Sequence, residues 1–267
     1  MSDHVLDPVA TGRAERARHV GWGRAAWRQY RLERRMFWRN PSAAFFNFLL
    51  PLLFLGLFGA VFSGDDADLQ VIVPGIAGMS VMSTTFSALA MNLTYLRESG
   101  VLKRIHGTPL PTTAYLAGIG GNAVTNTAIQ IAIVTTVGAT VFGLDWPPDP
   151  VALVVFVVLG VACFAAMGVA LSHAIPNFDS APAYVNAVFL PMIFISGVFY
   201  DADDAPQFLR DIAQVLPLKH LIDGLSGAMV AGEGLADHGV ALLVLAIWTA
   251  AATTLAVRGF SWEARRS

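Results

Sequence analysis

The sequence predicts an all-α polytopic membrane protein of six transmembrane helices, and three observations carry that expectation. Hydrophobic residues make up 55% of the 267 positions, while charged residues make up only 13%. A soluble domain carries about 25% charge to keep a solvated shell, so lipid is the solvent expected around most of this surface. Mean hydropathy is +0.58. Finally, the few charges are sorted by sign along the chain rather than mixed.

The elements follow in order. Residues 1–21 are polar and basic and are expected to be a disordered cytoplasmic N-terminus; they lack the early apolar core of a cleavable signal peptide. Residues 22–41 predict an amphipathic interfacial helix. Arg24, Arg28, Arg31 and Arg35 recur at intervals of four, three and four, which is one helical face, while Trp22, Ala26, Tyr30 and Phe37 lie largely on another. Aromatic rings, Trp27 and Trp38 among them, settle at headgroup level while guanidinium groups face phosphates or a partner. A membrane anchor and a protein-docking helix are both open readings. Asn40-Pro41-Ser42 ends this helix and starts the next, since proline suits a first helical turn.

Residues 42–257 predict the transmembrane domain. A spanning helix needs about 20 mainly apolar residues, and six stretches meet that need: Ala43 to Phe62, Val71 to Leu96, Ala114 to Phe142, Val151 to Ser172, Ala183 to Tyr200 and Gly239 to Val257. Turn chemistry separates them, as in GLDWPPDP from Gly143 to Pro150 and SGDDAD from Ser63 to Asp68. Arginines crowd before the first stretch. Arg97, Lys103 and Arg104 follow the second, and Arg258, Arg265 and Arg266 follow the sixth. Asp65, Asp66, Asp68, Asp145, Asp149, Asp201, Asp203 and Asp204 occupy the opposite loops, with only Arg210 and Lys219 among them as cations. Lysine and arginine accumulate in cytoplasmic segments, so both termini, including residues 258–267, are expected inside a plasma (inner) membrane.

Several chemistries lack their residues. A phosphate loop needs a glycine-rich turn ending in lysine and Ser/Thr, but Lys103 precedes Arg104 and Lys219 precedes His220. The chain is therefore expected to hold no ATP site of its own, and no catalytic, cofactor or metal residues are assigned. Cys163 is the single cysteine, which rules out a disulfide framework. A serine–histidine dyad for intramembrane proteolysis would need both groups at matched depth; Ser196-Gly197 with His220 or His173 comes nearest. The stretches hold no Asp, Glu, Lys, Arg or His, whereas ion-coupled transport usually leaves such a group mid-membrane. Their polar residues are amides and hydroxyls. Asn122, Asn126 and Gln130 stack at intervals of four, and Ser83, Thr84, Thr85, Ser87 and Asn92 enrich the second stretch. Interhelical hydrogen bonding and a polar substrate path are the two readings.

The loop 97–113 holds Arg97, Glu98, Lys103 and Arg104 beside Val101, Leu102 and Ile105. Gly100 and Gly107 allow tight turns, and Pro109 and Pro111 stiffen the exit. A short amphipathic helix fits, with an apolar ridge suited to a groove; a basic topology loop is the alternative. The outer segment 201–238 is too long for a turn. Phe208, Leu209, Ile212, Val215 and Leu216 recur near helical spacing, with Pro206 at the start and Pro217 at the expected end.

Three stretches together resemble the ABC-2 family of ABC transporter permeases, especially the daunorubicin-type drug-resistance exporter branch. They are VPGIAGMSVMSTTFSALAMNLTYLRESGVLKRIHGTPLPTTAYLAG from Val73 to Gly118, PMIFISGVFYDADDAPQFLRDIAQVLPLKHLIDGLSGAM from Pro191 to Met229, and the basic aromatic helix before the first stretch. Proline is common soon after the Ser-Gly-Val-Phe motif, where Asp201 stands here, and an arginine often closes the Leu-Pro-Leu segment, where Ser226 stands. The resemblance implies an ATPase-coupling helix involving Arg97, Glu98, Gly100, Lys103, Arg104, Thr108 and Pro109. It also implies outer re-entrant helices between the fifth and sixth spans, with Ser196, Gly197, Phe199 and Pro217 at the exit. The partners implied are two copies of a separate ATP-binding-cassette subunit carrying ATP and Mg, and a second permease copy or paralogue; no nucleic acid is expected. Export of an amphipathic drug, antibiotic or lipid-like substrate follows from the resemblance. Polysaccharide or glycolipid export is the alternative, ahead of an intramembrane protease or a passive channel.

Overall fold

The computed structural model describes residues 21–61, 66–108, 110–200 and 205–259. Residues 1–20 of the expected disordered N-terminus, Ser63 to Asp65 of the SGDDAD turn, Pro109, the Asp201 to Asp204 cluster and the arginines at 265 and 266 lie outside the described residues, whereas Asp66 to Asp68, expected in the turn, begin a helix. All the regular structure among the described residues is helical. It runs α1 (Trp22–Arg39), α2 (Pro41–Val61), α3 (Asp66–Met82), a π-helical turn (Ser83–Ser87), α4 (Ala88–Glu98), α5 (Val101–His106), α6 (Thr112–Val141) and α7 (Pro150–Ser172). The remainder is α8 (Ala181–Ile195), α9 (Gln207–Ala213), α10 (Pro217–Ser226), a second π-helical turn (Gly227–Ala231) and α11 (Gly239–Gly259).

Among the described residues, four helical stretches are long and apolar enough to cross a membrane: Leu69–Glu98, Thr113–Val141, Pro150–Ser172 and Gly239–Arg258. Two shorter apolar helices, Phe48–Val61 and Ala181–Ile195, occupy the first and fifth expected spans. At about 1.5 Å per residue, the 15 residues of α8 fall short of a hydrocarbon core about 30 Å thick. The expected fifth helix to Tyr200 therefore stops early. Gly197 takes φ 74°, a left-handed conformation that ends a helix, and the Tyr200 hydroxyl donates back to the Phe194 carbonyl at 2.6 Å.

The α3–α4 stretch is the central post, and most of it is buried. Its core includes Ile72, Ile76, Met82 and Phe86, packed with Phe156 and Phe164 of α7 and with Leu218, Leu221 and Leu225 of α10. The π turn interrupts what the sequence predicts as one regular helix. Hydroxyls explain it locally: Ser80 donates to Ile76 O, Thr84 to Ser80 O and Thr85 to Val81 O, at 2.6–2.8 Å. Such bonds to the preceding turn compete with the regular ladder and bend helices. The widened turn brings the Phe86 backbone against α7 at Gly168, where an added Cβ would lie 2.6 Å from Phe86 O.

Asp149 caps α7 by accepting from the Val151 and Ala152 amides at 3.0 and 2.9 Å, with Pro150 in the first turn. Beyond α8, the outer segment divides in two. Phe208, Ile212 and Val215 of the α9 region are exposed, whereas α10 is buried among α3, α7 and α11. Pro217 thus opens a buried helix instead of merely closing the preceding one, because its missing amide costs nothing at a first turn. Close approach is paid in side-chain volume: Gly160 faces Leu221, and Gly224 faces the Phe156 ring.

Candidate functional site: a polar seam and a basic face at one end of the bundle

The end of the bundle formed by the start of α6 and the ends of α4 and α7 gathers most of the charged and amide residues singled out in the sequence. Helix α1 packs along α6. Its arginines Arg24, Arg28, Arg31 and Arg35 are exposed as the periodicity predicts, and so are Trp22, Trp27 and Trp38. The face turned to the bundle is a different one. Ala25, Gln29 and Glu33, spaced by four, are buried, and they meet α6 where Gly118 leaves room for Gln29.

Three hydrogen bonds join the seam between α1 and α6. Trp22 Nε1 donates to Thr113 Oγ1 at 3.0 Å, and the Tyr30 and Thr125 hydroxyls pair at 3.1 Å. Arg34 donates to Asn126 Oδ1, its guanidinium 5.7 Å from the Trp38 ring centroid. Within α1, Gln29 Nε2 donates to Glu33 Oε1 at 2.7 Å. Burial pushes the Glu33 carboxyl above the usual carboxylate range, and the Gln29 hydrogen bond opposes that in part.

The expected amide face of α6 therefore splits. Asn126 holds Arg34, while neighbouring Thr127 pairs with Thr84 of the π turn at 2.8 Å; these are helix–helix contacts. Gln130 is fully buried, and neither of its amide atoms nor Asn122 Oδ1, also buried, is hydrogen-bonded among the described residues. Asn122, Asn126 and Asn92 line a cavity of about 320 Å³ between α1, α4 and α6, together with Glu33, Asn40 and Thr84. Sequence reading passed over Glu33, Gln29 and Arg34. Their signal was a lone acid within an arginine run, four residues from a glutamine and eight from an alanine.

The loop after α4 divides its charges between interior and surface. Arg97 is not a surface charge: its guanidinium is buried and donates to the carbonyls of Ser172 at 2.8 Å and Ile175 at 2.6 Å. Ser172 ends α7 and Ile175 lies three residues beyond it, at a helix terminus where carbonyls lack intrahelical partners and a cation is favoured. Glu98 accepts from the Phe178 amide at 2.5 Å, so both residues bind the α7–α8 loop. Gly100 takes φ 70° at the start of α5, as a tight turn requires, whereas Gly107 has an ordinary φ of −72°. The apolar ridge is also turned inward. Leu102 is buried against Leu93, Leu96, Tyr115 and Ile119, so it is unavailable to a groove elsewhere. Lys103, Arg104, Gly107 and Thr108 form the exposed face.

At the far end, Ser196 is buried, and its Oγ has no hydrogen-bond partner among the described residues. His220 bonds the Gln214 carbonyl at 2.8 Å instead, so a Ser196–His220 dyad is not formed. Phe199 stacks on Phe58 of α2 with centroids 4.6 Å apart, and Gly75 of α3 faces the Val198 carbonyl. Ser196, Gly197, Phe199 and Pro217 thus sit in the packing between α2, α3, α8 and α10.

Comparison with known proteins adds identity to this geometry. A family model described as ABC-2 type transporter matches residues 25–230. The daunorubicin resistance ABC transporter permease protein DrrB1 of Streptomyces coeruleorubidus is 28% identical over 222 residues, covering 79% of this chain and 76% of that protein. Nodulation protein J of Sinorhizobium fredii is 25% identical over 64% of this chain and 66% of its own length. The inner membrane transport permease YadH of Escherichia coli is 25% identical over 64% of this chain and 69% of its own.

Proposed function

The chain belongs to the ABC-2 type transporter family, and from that premise we propose that it is the permease subunit of an ATP-driven exporter in the plasma (inner) membrane. Its substrate is an amphipathic drug, antibiotic or lipid-like molecule, a reading supported by the drug-resistance permease among its relatives. Six spans, with the shorter α2 and α8 counted among them, put both termini in the cytoplasm, and α9 with α10 forms an outer re-entrant pair. The domain limits are those of the sequence: residues 1–21, 22–41, 42–257 and 258–267. Two ATP-binding-cassette subunits supply ATP and Mg, and a second permease, identical or paralogous, completes the path. This chain itself hydrolyses nothing.

One observation carries the reading: α5 and α1 present their cations at the same end of the bundle. Lys103 and Arg104 point outward from a helix whose apolar side is already used, which leaves charge as the means of recognising an ATPase. Thr108 is exposed beside them, and Arg24, Arg28, Arg31 and Arg35 are exposed along α1. Reversing Lys103 and Arg104 to glutamate together is expected to weaken assembly with the ATPase about a hundredfold or more, since a like-charge juxtaposition costs several kcal/mol and about 1.4 kcal/mol is tenfold. Co-purification and ATP-driven efflux from liposomes measure this. Wild-type assembly by the double variant, or ATP hydrolysis by the permease purified alone, would contradict the assignment.

A further inference from the structure

The cavity between α1, α4 and α6 has a chemical bias that its amide content alone would not give. Its one ionisable lining residue is Glu33, only 8% exposed. The carboxyl receives a single hydrogen bond, from Gln29 on its own helix, and no ion pair is formed to it among the described residues. The nearest cation in sequence, Arg34, is committed elsewhere: it donates to Asn126 and lies over the Phe37 and Trp38 rings. Across the cavity, Asn122 Oδ1 is a second buried acceptor without a hydrogen-bond partner among the described residues. The lining asparagines Asn40, Asn92, Asn122 and Asn126 bring amide donors as well as acceptors, but no cation stands among the lining residues to balance Glu33, while Met36, Phe37, Leu89 and Ile119 supply an apolar wall.

A buried carboxylate is stabilised by a hydrogen-bonded cation, and a volume of about 320 Å³ is at the small end for an organic ligand. We propose that this cavity binds the protonated amine of an amphipathic cation, with Glu33 as counter-ion, Asn122 and Asn92 as hydrogen-bonding walls, and the ligand's apolar part against α1 and α6. The inference deepens the transport reading by naming the chemistry of a substrate. Its binding step needs no ATPase, so the two readings fail separately.

The test uses the full chain in nanodiscs of neutral phosphatidylcholine, without ATPase, and two fluorescent probes: dansylcadaverine, which carries a free primary amine, and its N-acetylated analogue. Saturable binding of the amine is expected, with the acetylated probe bound more weakly. Glu33→Gln keeps the shape and the Gln29 contact but removes the charge; it should weaken amine binding about tenfold, as loss of a charge-assisted contact implies, and leave the acetylated probe unchanged. Asn122→Leu fills the cavity from α6 and should weaken both probes, which keeps the site testable if the Glu33 variant loses the α1 dock. Equal amine affinity for wild type and Glu33→Gln, equal binding of the two probes, wild-type binding by Asn122→Leu, or a signal no greater than that of empty nanodiscs would each overturn the proposal. None of these results bears on ATP-dependent export.

Discussion

Replacing Arg97 with alanine is expected to destabilise the protein by about 3 kcal/mol and to uncouple ATP hydrolysis from transport while leaving the ATPase bound. The guanidinium is buried and holds two carbonyls at the end of α7, Ser172 O and Ile175 O. A hydrogen bond to a charged group contributes about 1.5–3 kcal/mol, and the deletion leaves both oxygens short of a buried donor. Arg97→Lys should recover less than half of the loss, because an ammonium cannot reproduce the planar fork that reaches both acceptors. Thermal unfolding in detergent measures the first effect, and ATPase and efflux rates of the reconstituted complex measure the second. The charge-reversed Lys103 and Arg104 variant provides the contrast: it should lose assembly yet unfold at the wild-type temperature. A variant lacking Arg97 that unfolds with the wild type would show that the clasp carries no stability.

That contrast separates what the sequence makes legible from what it conceals. The apolar stretches, the Gly100 turn and the arginine face of α1 all follow from composition and periodicity, and helices are found at each stretch. Depth of burial does not follow. Arg97, Lys103 and Arg104 are alike as sequence signals of topology, yet one is internal and two are exposed, because α4 continues beneath the α7–α8 loop before the chain turns at Gly100. The π turn at Ser83–Ser87 is hidden for a similar reason. Ser and Thr enrichment is visible, but whether the hydroxyls bond across helices or back onto their own carbonyls depends on the neighbours. Thr84 does both. Glu33 is hardest to read. Its helix shows an arginine face and scattered aromatic residues, so the strip that docks looks like leftover spacing. Only contact with α6 reveals Ala25, Gln29 and Glu33 as the inner face, because polar pairing and glycine-permitted approach, rather than apolar periodicity, build that contact.

The role of that approach can be tested at Gly118. A Cβ there would lie 2.5 Å from Gln29 Cγ, 2.6 Å from Gln29 Cβ and 3.0 Å from the Tyr30 amide nitrogen. The glutamine tip could swing aside, but its Cβ and the Tyr30 backbone cannot move without the helix. Gly118→Leu is therefore expected to lift α1 from α6 and to break the Tyr30–Thr125 and Arg34–Asn126 contacts together. Overpacking alone costs about 1–3 kcal/mol, and the lost hydrogen bonds add about 1 kcal/mol each, so undocking should dominate. Gly120, two residues on, has open space at its Cβ position, and Gly120→Leu should be silent. Protease accessibility of α1 in nanodiscs separates the two, as does thiol labelling of a cysteine placed at Ala25, which is buried in the docked helix. If Gly118→Leu leaves both readouts at wild-type values, α1 is held by the membrane surface and not by α6. If it undocks α1 and abolishes ATP-driven efflux without preventing ATPase assembly, the seam is the element through which motion at the basic face reaches the helices.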